Sequence, residues 1–122
     1  MENQNTMVEY TEAPDIKERA IAIATKLNMS HIDFDRVHFY YYYCDTRTIA
    51  KITGFFKVLQ LAYPHIRPFY VISVNQKNFL GVSKRDQDST ILHELLHIPK
   101  TFSGEYSKIA HQRIRELSKS LM

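Results

Sequence analysis

Thr90-Ile91-Leu92-His93-Glu94-Leu95-Leu96-His97-Ile98-Pro99-Lys100-Thr101-Phe102-Ser103-Gly104 is the stretch on which the interpretation of this chain turns. Its centre, His93-Glu94-Leu95-Leu96-His97, is an HExxH motif. Residues four apart on a helix lie one above the other on the same face. Two imidazoles so placed can reach a single zinc ion at about 2.0–2.1 Å without bending the backbone. Glu94 is adjacent to the first histidine and turned toward the same cleft. It is placed to hold a water molecule, take its proton and later deliver a proton to a leaving amine. The flanking run Ile91, Leu92, Leu95, Leu96 and Ile98 gives the helix a buried side, and Pro99 stops it.

Catalytic zinc usually has three protein ligands and one open position. Downstream of the motif the candidates are Glu105, His111 and Glu116. Pro99 and Gly104 let the chain reverse, so that a last helix can return beside the first with His111 near its middle. Imidazole is the better zinc ligand there, which puts His111 first and Glu105 as its substitute. Cys44 is the single cysteine, so neither an intramolecular disulfide nor a cysteine zinc cluster is available. The expected cofactor is therefore one zinc ion per chain, held by His93, His97 and His111.

Working outward, residues 12–28 read as an amphipathic helix with Ile16, Ala20, Ile23, Ala24 and Leu27 on one face. The Tyr-rich segment 36–44 reads as a strand, as do residues 47–53 and 69–75. Residues 55–63 fit a short helix or a continuing strand. Ser83 followed by Asp86 resembles a capping box that opens the HExxH helix. A last helix is expected from about 105 to 120, with Ile109, Ile114, Leu117 and Leu121 as its apolar positions. The fold class is α+β: an N-terminal helix, a small mostly antiparallel sheet of about three strands, the HExxH helix and a C-terminal helix.

With 122 residues the chain fits one domain, 1–122, with residues 1–10 as a flexible tail. Hydrophobic content of 44% and charged content of 24% suit a folded domain and argue against disorder. No apolar run approaches the roughly 18–20 residues of a membrane span, so no membrane partner is expected. The polar, acidic start MENQNTMVEYTEAP is unlike a secretory signal, and a cytoplasmic location follows as an expectation. The formal charge of +3 gathers in residues 61–122, where nine Lys/Arg face five Asp/Glu. That excess suits an acidic partner such as nucleic acid.

The block HELLHIPKTFSG, with the preceding PFYVISVNQKNFLGVS, resembles a family of small zincin-like metallopeptidases from phages and archaea. The resemblance spans about residues 47–111. It implies a minimal zincin fold, zinc on His93, His97 and a downstream histidine, Glu94 as catalytic base, and a polypeptide substrate. In the zincin arrangement the strand before the metal helix tends to be the sheet edge above the cleft. The resemblance thereby implies that residues 69–75, through Tyr70, Ile72 and Val74, bind an extended peptide by strand addition. Tyr106 is a candidate donor to the tetrahedral oxyanion. A broader similarity to SprT-type zincins supplies the alternative: a zinc-containing, nucleic-acid-associated protein, either a protease of DNA-bound proteins or a catalytically vestigial zincin.

Overall fold

A computed structural model describes residues 8–109 and 111–121, His111 by its backbone alone. Strand β1 (Thr11–Glu12) leads into helix α1 (Pro14–Lys26). Pro14 suits the first turn, where its missing N–H is no loss. Ile16, Ala20, Ile23 and Ala24 are buried, four of the five positions expected from the helical spacing. Asn28 ends the helix in the left-handed region at φ 57°, with the Met29 amide returning to the Ala24 carbonyl at 2.8 Å. A single 3-10 turn, Phe34–Arg36, then feeds β2 (Val37–Tyr42).

The rest of the sheet comes from β3 (Ala50–Gly54) and β4 (Tyr70–Asn75), separated by the short helix α2 (Lys57–Ala62). Strand order is β1-β2-β4-β3. β1 and β3 pair antiparallel with their neighbours, whereas β2 and β4 run parallel. Among the described residues the sheet thus has four strands, one more than expected. The extra one is β1, which lies at the junction between the expected tail (1–10) and the expected helix (12–28). Residues 1–7 of the expected tail lie outside the described residues. Tyr10, also assigned to that tail, packs against Tyr40 and Tyr42 with ring centroids 6.5 and 5.7 Å apart.

β4 corrects a second expectation. It lies between β2 and β3, so its backbone is paired on both sides and takes no further strand. Tyr70, Ile72 and Val74 are fully buried under the helices and are core residues, not contacts for a peptide. The edge strand on the β4 side of the sheet is β3. The Asn75 amide bonds the Ile49 carbonyl and the Phe55 amide bonds the Phe69 carbonyl. Antiparallel alternation therefore turns residues 49, 51, 53 and 55 toward β4 and residues 50, 52 and 54 outward.

After β4 come a short helix α3 (Gln76–Phe79) and the HExxH helix α4 (Lys84–Leu96). Ser83 caps α4 by accepting from the Asp86 amide at 3.1 Å, as the sequence suggested. Ile91, Leu92 and Leu95 of α4 meet the α1 face and the sheet in one apolar core. Arg19 ties the two helices from outside, donating to Asp88 at 2.6 Å and Gln87 at 2.9 Å. Helix α5 (His111–Lys119) starts six residues later than expected, because residues 105–107 are used to hold a loop. Leu117 and Leu121 still pack on the core.

Asn75, at the end of β4, is fully buried and uses its whole amide. Its Oδ1 accepts from the Cys44 and Lys77 amides at 3.1 and 3.3 Å. Its Nδ2 donates to the Cys44 and Thr48 carbonyls at 2.9 and 3.0 Å. One side chain thereby fixes the β2–β3 connection and the start of α3. Asn75→Leu keeps the volume and strands those backbone groups, so urea unfolding should show a loss of about 2–4 kcal/mol. A loss below about 0.5 kcal/mol would mean that water replaces the amide without penalty.

Candidate metal centre

α4 delivers His93 from its last turn, and His97 caps its C-terminal end. The two Nε2 atoms face each other at 3.3 Å, with ring centroids 5.0 Å apart. Two donors at 2.0–2.1 Å from one tetrahedral ion stand about 3.3–3.4 Å apart, so the separation fits a shared zinc. The ring of His97 is held from behind. Its Nδ1 donates to the Ser107 carbonyl at 3.0 Å, which leaves Nε2 as the bare, metal-facing nitrogen. The Ser107 amide returns a bond to the His97 carbonyl at 2.7 Å. No pattern in the sequence marks Ser107, because it acts through its backbone.

Glu94 sits beside the pair and is only 7% exposed. Burial pushes its carboxyl up to about 7. A carboxyl poised near neutrality is suited to exchange protons with water. His93 and Glu94 open onto a cleft of about 490 Å³, bordered by Ile49 and Ala50 ahead of and at the start of β3, Ser89 of α4 and Ile114 of α5. The wall of the cleft facing the motif is therefore the start of β3 and α5.

The PKTFSG turn is what places Ser107. Phe102 adopts φ 50° with its side chain buried, and Gly104 adopts φ 91°. A bulky residue in the left-handed region is strained by about 1–3 kcal/mol and persists only where surroundings enforce it. Here the Phe102 ring packs edge-on against Tyr70 at 5.0 Å and under the Arg36 guanidinium at 4.9 Å. The Tyr70 hydroxyl accepts from the Gly104 amide at 2.9 Å and donates to the Glu105 carbonyl at 2.7 Å. Gln60 donates to both the Phe55 and the Ser103 carbonyl, at 2.7 and 2.8 Å. Tyr70 thus positions the loop behind His97, a role the sequence concealed. A buried phenol must find a hydrogen-bond partner, and that requirement was the available signal.

The remaining candidates are distributed as follows. Glu105 has its carboxylate on the Lys57 amide at the start of α2, at 3.0 Å, so it is committed away from the imidazole pair. Glu116 is exposed on α5. His111 opens α5 instead of lying near its middle, and its side chain lies outside the described residues. Among the described residues no three His, Cys, Asp or Glu side chains form a cluster. The Tyr106 hydroxyl donates to the Ile52 carbonyl, its ring lying edge-on to Phe56 at 4.9 Å and 6.0 Å from His97. Lys100, Lys108 and Arg113 line a separate cleft of about 270 Å³ behind the C-terminal end of α4.

A family model described as "Putative phage metallopeptidase" matches residues 8–119. The chain belongs to that family. Membership in a metallopeptidase family implies a metal cofactor and a polypeptide substrate, and it carries no support for a nucleic-acid partner. No curated protein and no solved structure matches the chain. No described helix is long and apolar enough to cross a membrane. The matched region takes in every element described above, from β1 to α5.

Two glycines make the family's loop possible in this chain. A Cβ on Gly104 would stand 2.3 Å from the Phe55 carbonyl oxygen, and one on Gly54 would stand 2.2 Å from the Gly104 carbonyl oxygen. Gly104→Ala should therefore cost roughly 2–4 kcal/mol of stability, from overlap and from its positive φ. Gly81→Ala is the control, since its Cβ would meet nothing nearer than 3.5 Å. Thermal unfolding of the two variants side by side checks this, and equal midpoints would contradict the close approach.

Proposed function

We propose that this chain is a zinc-dependent peptidase of the HExxH type, with one zinc ion held by His93, His97 and His111 and with Glu94 as general base. The observation that carries this reading is the 3.3 Å separation of two Nε2 atoms, one of them tautomerically fixed by Ser107. Bound zinc supplies Lewis acidity toward water and toward a peptide carbonyl. Glu94 takes a proton from the attacking water at its carboxylate and delivers one to the leaving amine, so that water is added across the C–N bond. Its burial keeps competing solvent away from that transfer. His111 enters because it opens α5, the helix that borders the cleft and packs against α4.

The substrate chain pairs with the outward groups of β3. Ala50, Ile52 and Gly54 turn their backbone groups away from the sheet beside the motif, the Ile52 carbonyl being held by Tyr106, and main-chain pairing along such an edge binds polypeptide with little side-chain selection. The edge-strand role that the zincin resemblance assigns to the strand before the metal helix thus moves to β3, on the other side of β4.

Metal analysis of purified variants tests the ligand set. Wild type should carry one zinc per chain, and His97→Ala and His111→Ala should lose most of it. Zinc at wild-type level in His111→Ala would remove His111 from the set. Glu94→Gln should keep zinc and lose peptide cleavage by a factor on the order of 10²–10⁴. Full turnover in that variant would remove Glu94 from the mechanism.

A further inference from the structure

The backbone groups of β3 that face away from the sheet are not all free. Ile52 is an outward residue, and its carbonyl accepts from the Tyr106 hydroxyl. The Gly54 amide, also outward, faces the same phenol. One hydroxyl therefore donates to residue 52 beside the outward amide of residue 54. A neighbouring parallel strand would bond that carbonyl and that amide through one residue's N–H and C=O. An antiparallel strand would instead use the Ile52 carbonyl and amide. In either direction a peptide lying along β3 needs the Ile52 carbonyl, and Tyr106 is already on it. The phenol is half exposed, and its ring rests on Phe56 without being enclosed. Among the described residues its hydroxyl makes no other side-chain bond.

We propose that the Tyr106 hydroxyl is a stand-in for substrate backbone, holding the Ile52 carbonyl until an extended polypeptide displaces it. This rests on the β3-edge reading given above. Displacement exchanges one hydrogen bond for an equivalent one, so the first pairing position contributes little to affinity and later positions contribute more. The preferred ligand is then an extended chain long enough to pair on both sides of residue 52. A short peptide confined to that position gains almost nothing. The phenol also shields the edge from pairing with other chains while the site is empty of substrate.

The test is binding without turnover. A fluorescein-labelled decapeptide of alternating Ser and Val is titrated into Glu94→Gln and into Glu94→Gln/Tyr106→Phe, with anisotropy as the readout. The Phe variant keeps the ring contact with Phe56 and removes only the competing bond. Binding three- to tenfold tighter in the double variant is expected, as loss of one competing hydrogen bond predicts. The same peptide N-methylated at alternate amides should bind neither protein. If N-methylation abolishes binding but Tyr106→Phe leaves it unchanged or weaker, the stand-in is overturned while the β3 edge survives. If the N-methylated peptide binds as well as its parent, or neither peptide binds, both ideas fall. In the active protein the stand-in predicts a lower KM for Tyr106→Phe. A loss of kcat at unchanged KM would overturn it and assign the hydroxyl to the reacting carbonyl.

Discussion

The paired hydrogen bonds between His97 and Ser107 tie the chemistry of this molecule to its architecture. One runs from ring nitrogen to carbonyl and the other from amide to carbonyl, so the histidine is gripped by both its side chain and its backbone. Ser107 can reach it only because the chain reverses between Pro99 and Gly104. That reversal needs a phenylalanine and a glycine at positive φ, and the turn is seated by Tyr70 from the centre of the sheet. A hydroxyl at the first residue of β4 thereby governs the tautomer of an imidazole past the end of α4. Disturbing any link of that chain moves the nitrogen that faces His93.

Glu94 shows the opposite economy. Nothing among the described residues stabilises its ionised form; burial alone accounts for its raised pKa. In most cores a carboxyl so placed would be a defect. Beside two convergent imidazoles its pKa comes to rest near neutrality. A dication at the imidazole pair would favour the carboxylate and lower its pKa.

Local chemistry was legible in the sequence and non-local pairing was not. The buried face of α1, the stop at Asn28, the Ser83 cap and the i, i+4 histidines each depend on residues within a turn or two of each other. The place of β4 depends on partners in β2, 33 positions back, and in β3, 16 to 24 positions back. The zincin resemblance implies an exposed edge for YVISVN, although the strand is buried along almost its whole length, the mark of an interior strand. The late start of α5 escaped for a related reason. Residues 105–107 have helix-compatible side chains, but Glu105 is drawn to Lys57 and Ser107 to His97. Tertiary demand on their backbone outweighed local propensity.

The position of the two histidines on α4 has an electrostatic side. Successive peptide dipoles leave the C-terminal end of a helix with about half a negative charge, concentrated in its last turn. His93 lies in that turn and His97 caps it. The helix therefore brings its negative pole to the same place as its imidazoles. Part of the attraction felt there by a cation comes from carbonyl groups, and no side-chain replacement can take that share away.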